Sequence, residues 1–402
     1  MSKDGFDFIT GGSVTSPEGF RAGAISAGIS RLPDKLDLGI LCSDSPCSAA
    51  GVFTRNRIQA APVVLSRKRL EKGRAVAIVA VSGCANAFTG AAGLADAEEM
   101  AQLAAAHNGL QPSDILVAST GVIGTRLPMV KIRQAIGSVV LKPDGGHDLA
   151  RAIMTTDTVP KEAAVRVGGK FTIGGIAKGS GMIHPDMGTL LCFVATDARV
   201  GAAYLKKALV RAVDISFNMV SVDGDTSTND TVFLLANGRA PGAAITEGSP
   251  GAEKFQESLE AVCTHLARGI ARDGEGATRL FEFTVEGAPS LAEAKLAART
   301  VVSSPLVKSA VHGSDPNWGR IMAAVGRSGA AIEQEKVDLK FGEVYLIKSG
   351  ALLPYDHGRV VEYLKRAEVS VTLDLHLGTA GATAWGCDLS QAYVAINGEY
   401  TS

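Results

Sequence analysis

Aromatic residues are scarce, at 5% of 402 residues, which leaves few platforms on which nucleic-acid bases could stack. An excess of charge of either sign is also missing. Forty basic and 41 acidic residues give a formal charge of -1, which removes the main electrostatic argument for nucleic-acid or anionic-membrane partners. No apolar run approaches the ~20 residues a membrane-spanning helix needs; Ala75 to Val81 is typical of the longest. Met1 to Phe8 is polar, so no signal peptide is expected and a cytoplasmic protein is. The six cysteines, at 42, 47, 84, 192, 263 and 387, form no CxxC pair. Cys42 and Cys47 lack a second pair or a nearby histidine, so reduced thiols are expected and no metal site. Asp223 to Thr231 is dense in Asp, Thr, Ser and Asn but lacks EF-hand spacing. It reads as a polar turn and strand buttressing a site.

What is present is a 46% apolar content and 46 dispersed glycines, the mark of a compact α/β enzyme with many tight loops. Leu36 to Cys42, Gly51 to Phe53, Pro62 to Leu65 and Ala75 to Val81 read as strands. Asp114 to Ala118 reads as a strand running into a turn at Ser119-Thr120-Gly121. Leu94 to Ala106, Leu149 to Thr155, Ala202 to Val213 and the stripe Phe255, Leu259, Val262, Leu266, Ile270 predict helices. Ala164 to Val167, Phe171 to Ile173 and the doubly apolar Leu190 to Thr196 predict strands. Asn317 reads as the cap of a helix. Gly287, Pro289 and Ser290 interrupt the pattern, which suggests a soft boundary near Glu286 to Leu291, between a main sandwich domain over 1–286 and a smaller α/β domain over 287–402 that pack closely without a linear linker.

The most unusual stretch is Gly174 to Ala198, GGIAKGSGMIHPDMGTLLCFVATDA. A bent, glycine-rich approach ends at Gly188, and Thr189 opens an apolar strand. The Thr189 hydroxyl is next to the Gly188 carbonyl, and Gly188 has no Cβ to shield that carbonyl from attack. Cleavage there would leave an N-terminal threonine holding both a hydroxyl nucleophile and, in its α-amino group, a base with a pKa of about 7.7–8.0. Read locally, most threonines in such a place are only β-branched residues that start a strand.

Lys178-Gly-Ser-Gly-Met-Ile-His-Pro-Asp-Met-Gly-Thr-Leu-Leu resembles the self-cleavage motif of the ornithine acetyltransferase / glutamate N-acetyltransferase (ArgJ) family. Ordered resemblances extend along nearly the whole chain. Among them are Gly11-Gly-Ser-Val-Thr-Ser-Pro-Glu-Gly-Phe-Arg, Ser119-Thr-Gly-Val-Ile-Gly, Ile153-Met-Thr-Thr-Asp-Thr, Asp273-Gly-Glu-Gly-Ala-Thr and Ser314-Asp-Pro-Asn-Trp-Gly-Arg.

The resemblance implies a layered sandwich of mixed sheets and helices like that of DmpA/ArgJ-type N-terminal-nucleophile enzymes, with a tail that returns to the site. It implies cleavage between Gly188 and Thr189 into chains 1–188 and 189–402, associated as an α2β2 heterotetramer. Thr189 is then the nucleophile, and Thr120 and Gly121 form the oxyanion hole. Thr155, Lys178, Thr189, Glu275, Asn397 and Ser402 contact substrate, with Lys178 suited to a carboxylate and Glu275 to an amine. The implied reaction moves acetyl from N-acetylornithine to glutamate in cyclic arginine biosynthesis and needs no cofactor. Some family members also accept acetyl-CoA.

Two departures stand out. The family usually has alanine where this chain has Gly188, and Val81-Ser-Gly-Cys replaces two amides, at Val81 and Cys84, with apolar or weakly polar groups. The same nucleophile would also serve an amidohydrolase or aminopeptidase, or an acyltransferase of specialised metabolism. A non-enzymatic binding protein on this fold is the third reading.

Overall fold

The computed structural model describes residues 5–184 and 190–399. Leu191–Thr196 has all six side chains buried, so it needs strands on both edges and cover on both faces. Phe171–Lys178 lies antiparallel on one side and Thr231–Ala236 parallel on the other. These three sit inside a nine-stranded mixed sheet that runs from Asp7–Phe8 through Lys161–Val167 to Leu38–Phe53, Arg74–Cys84 and Ile115–Val122. Phe193 stacks on Phe233, and Phe53 meets Phe233 edge-on, so aromatic weight is concentrated at the sheet centre despite its scarcity overall.

Helix Ala252–Arg272 carries the expected stripe, and Phe255, Leu259, Val262, Leu266 and Ile270 are all fully or almost fully buried. It touches Lys161–Val167 and Phe171–Lys178 of the first sheet and also Leu280–Ala288 and Ala380–Cys387 of a second. That second sheet has seven strands, with Leu280–Ala288 between Glu368–Asp374 and Ala380–Cys387. Its far edge is Val220–Ser221, a strand from well before residue 286. The position 286/287 falls inside Leu280–Ala288. Mixed sheets with helices packed on them make a layered α/β fold.

Several local expectations change. Pro62 to Leu65 is helical, part of Ala61–Arg69, because proline is tolerated in the first turn and Ala60 enters extended. Leu36 to Cys42 and Gly51 to Phe53 belong to one 16-residue strand, Leu38–Phe53. The stretch between them is a bulged part of the strand, with its register shift between Cys42 and Cys47. The helix expected to reach Thr155 ends at Ala152, leaving Thr155 in a loop. Asn317 caps Trp318–Gly326 by accepting from the Arg320 amide.

Among the described residues no helix is long and apolar enough to cross a membrane, and no group of three or more His, Cys, Asp or Glu could hold a metal ion. All six cysteines are free and buried, and burial pushes the Cys47 and Cys263 thiols up to about 12.

Candidate active site

Thr120 and Gly121 do not form a turn. They lie within strand Ile115–Val122, opposite a register shift at Gly83 and Cys84 in Arg74–Cys84. A bulge of this kind re-aims backbone groups out of the ladder. Gly121 has φ +132°, and a Cβ there would stand 2.4 Å from the Gly83 carbonyl carbon, so only glycine fits. The strand end is pinned from the side. Asn229 Nδ2 donates to the carbonyls of Ala85 (2.7 Å) and Ser119 (2.8 Å), and Ser119 Oγ donates to Ala85 O.

Lys178 is not a loop residue with a solvated charge. It ends strand Phe171–Lys178 and is 1% exposed. Its Nζ reaches Thr120 Oγ1 at 3.4 Å and stands 4.0 Å from Asp157 Oδ2. Burial pulls this ammonium below the ordinary lysine range, against the opposing influence of Asp157. Because the Thr120 oxygen accepts from Lys178, its own proton is left to donate elsewhere.

Glu275 is also enclosed, at 9% exposure. Its amide donates to Ser180 O, and its carboxylate accepts from Asn397 Nδ2 at 2.8 Å. Asn397 belongs to helix Gln391–Glu399, so the C-terminal segment reaches the same place as the loop after Ala252–Arg272.

Thr120, Gly121, Thr155, Glu275 and Asn397 line one cavity of about 140 Å³, and Lys178 lies under Thr120. A larger cavity of about 420 Å³ shares Gly121, Thr155 and Thr156 with it. Cys84 is in its wall, and Arg31, Lys35, Arg126 and Lys131 bring four cations to it. Val81 is buried in the core and reaches neither cavity. Gly188, Thr189 and Ser402 lie outside the described residues.

The residues on either side of 185–189 are held by the polar segment 223–231. Asp223 accepts from the amides of Met182 and Ile183. Asp230 Oδ1 accepts from the Leu190 amide at 2.9 Å, and the Thr231 amide donates to Leu190 O. Asp230 is fully buried, which pushes its carboxyl well above the ordinary range. The strand register places Leu191 opposite Lys178, so the chain emerging from residue 190 runs beside the buried ammonium.

Sequence reasoning passed over Asp157, Lys161, Asp273, Asn229 and Asp230 as individual actors. Asp157 had one signal, its place two residues after Thr155 in the Ile153 to Thr158 motif. Asp273 had a like signal, at the head of the Asp273 to Thr278 motif two residues before Glu275, whereas Lys161 had none; only the fold brings the two together, at 2.5 Å.

Two sheets joined by a shared helix, with a cavity at a strand bulge and a buried lysine beneath it, define a layered α/β protein. A model of the ArgJ family matches residues 21–402. The arginine biosynthesis bifunctional protein ArgJ of Dehalococcoides mccartyi is 52% identical over 404 residues, covering 100% of both chains. The protein of the same name from Symbiobacterium thermophilum is 52% identical over 395 residues, covering 97% of this chain and 98% of that one. The crystal structure of arginine biosynthesis bifunctional protein ArgJ from Bacillus halodurans matches with TM-score 0.51 and 42% identity, over 52% of this chain and 98% of that one. The chain belongs to the ArgJ family.

Proposed function

We propose that this protein is a self-cleaving acetyltransferase of arginine biosynthesis that carries acetyl on Thr189 from N-acetylornithine to glutamate. The observation that carries the reading is the convergence of Thr120, Gly121, Thr155, Glu275 and Asn397 on one cavity, with Lys178 beneath it and the chain after Thr189 anchored alongside.

In the cleavage step Thr189 Oγ attacks the Gly188 carbonyl carbon. The Gly188–Thr189 C–N bond breaks, the hydroxyl proton passes to the leaving nitrogen, and water hydrolyses the resulting ester. The freed α-amine then takes the hydroxyl proton as Oγ attacks the acetyl carbonyl of N-acetylornithine. Oxyanion charge faces the Thr120 hydroxyl and the bulge at Gly121. Ornithine leaves with the proton; the glutamate amine then attacks the acetyl ester, the acetyl C–Oγ bond breaks, and the amine's proton returns through the Thr189 α-amine to Oγ as N-acetylglutamate leaves. Lys178 takes the substrate carboxylate and Glu275, with Asn397, the amine. This acyl chemistry calls for no metal or redox cofactor. The cation-lined neighbouring cavity supports acetyl-CoA, whose phosphates suit such walls, as a second donor.

The fragments 1–188 and 189–402 would share one sheet, and we take the working form to be a cytoplasmic α2β2 heterotetramer. The Bacillus halodurans chain, covered almost whole by about half of this one, fits a two-fragment enzyme. Intact-mass measurement tests the reading: two fragments meeting at Gly188/Thr189 are expected, and a single chain for Thr189→Ala. A Thr189→Ala protein that still splits there would overturn self-cleavage. Acetyl release from N-acetylornithine should depend on glutamate, and equal release into water alone would make the protein an amidohydrolase instead.

A further inference from the structure

Lys178 is the most enclosed cation of the site, yet its only hydrogen bond within the described residues is the long one to Thr120 Oγ1. An ammonium stripped of water keeps its proton only if a counter-charge is fixed nearby. That charge is Asp157, whose side chain is fully buried. Its Oδ1 accepts from Lys161 Nζ at 2.6 Å and from the Gly179 amide at 2.7 Å, and its Oδ2 accepts from the Thr155 amide at 3.0 Å. Thr155 is in the cavity wall, and Gly179 directly follows Lys178. One carboxylate therefore ties the cavity wall at Thr155 to the strand end at Lys178 while facing its cation. Lys161 is fixed in turn by Asp273, two residues before Glu275.

We propose that Asp157 is a positioning residue of this site, the central anion of a buried Lys161–Asp157–Lys178 array that holds the Thr155 wall of the cavity against the strand end at Lys178 and keeps the Lys178 ammonium charged beneath Thr120. The consequence for catalysis rests on the acetyl-transfer reading, whereas the consequence for Lys178 does not. The other charges facing Lys178 are Asp230 and Glu275 from two loops, Lys161 from the strand behind Asp157, and Lys35 from the segment before Leu38. The carboxylates favour the ammonium; Lys161 and Lys35 oppose it.

An array of alternating charge makes a prediction that a merely structural role does not. Removing the centre and removing the far end should move Lys178 in opposite directions. The measurement is the titration of the Lys178 side-chain carbon by NMR in lysine-labelled full-length protein, assigned by its loss in Lys178→Met. Asp157→Asn should lower the midpoint by at least one pH unit, Lys161→Met should raise it, and Asp157→Glu should fall between Asp157→Asn and wild type. The alkaline limb of kcat/KM for acetyl transfer should follow the same order. If Asp157→Asn does not fold, the upward shift in Lys161→Met carries the test. A midpoint unmoved in both variants, or moved the same way in both, overturns the proposal. A wild-type protein that transfers no acetyl would refute the functional reading while leaving the NMR result to judge Asp157.

Discussion

At position 181 a single hydrogen in place of a methyl group decides where Glu275 can stand. A Cβ on Gly181 would lie 2.4 Å from the Glu275 carboxyl carbon and from both of its oxygens. The obstruction is the end of a flexible side chain, so Gly181→Ala should push the carboxylate aside without disturbing the backbone. We expect its unfolding free energy to stay within ~1 kcal/mol of wild type and its KM for the amine-bearing substrate to rise at least tenfold. Gly121→Ala differs in kind, since its Cβ meets the backbone of Gly83 at a positive φ. It should lose ~1–3 kcal/mol or more of stability, read by denaturant titration. At this scale the sequence was a partial guide. Lys178 and Glu275 were legible as candidates only through family resemblance, because loop glycines around a charged residue do not say whether water reaches it.

At the scale of elements, the strand Leu191–Thr196 starts where Asp230 receives the Leu190 amide. Asp230→Ala would leave that buried N–H without a partner, at a cost of ~1–3 kcal/mol. It should also slow cleavage before Thr189, as followed by the rate of fragment appearance. Asp230→Asn keeps an oxygen acceptor in place and should retain more of both. Strong periodicity was readable here: the stripe of Ala252–Arg272 and the run of Leu191–Thr196 were evident in the sequence. Short apolar runs were not, as Pro62 to Leu65 shows. Valines and leucine over four residues suit either period, and the proline at the first turn settles it only once the preceding residue is seen extended.

For the whole molecule, two consequences follow from shared cores. Phe171–Lys178 and Leu191–Thr196 are antiparallel neighbours from Ile173 to Lys178, on opposite sides of the proposed cut. Separating the fragments would break that ladder and expose strands with every side chain buried. They should co-elute on size exclusion after cleavage and part only in denaturant; separation under native conditions would contradict the shared sheet. Acid should also weaken the fold in a defined window. Burial by itself would raise the Asp157 carboxyl, but Lys178, Lys161 and the hydrogen bonds to it outweigh burial and bring it to about 2, against ~3.9 for an unfolded aspartate. A depressed carboxyl contributes stability above pH ~4 that is lost as pH falls toward 2. Denaturant midpoints at pH 6 and pH 3 should therefore differ less in Asp157→Asn than in wild type.

The chain's own order of residues determined the family and the long periodic elements, because these depend on neighbours along the chain and on motifs kept in register. Tertiary structure decided which side chains share a cavity. Asp157 and Lys161 are near in the chain, but Lys178 joins them only when strand Lys161–Val167 is laid beside Phe171–Lys178, and Asp273 only when the end of Ala252–Arg272 is brought against them. Burial decided the rest. A lysine or glutamate in sequence carries no sign of its solvent, and it is the packing of two sheets and one helix that removes water from Lys178 and makes its charge depend on a partner 21 residues earlier.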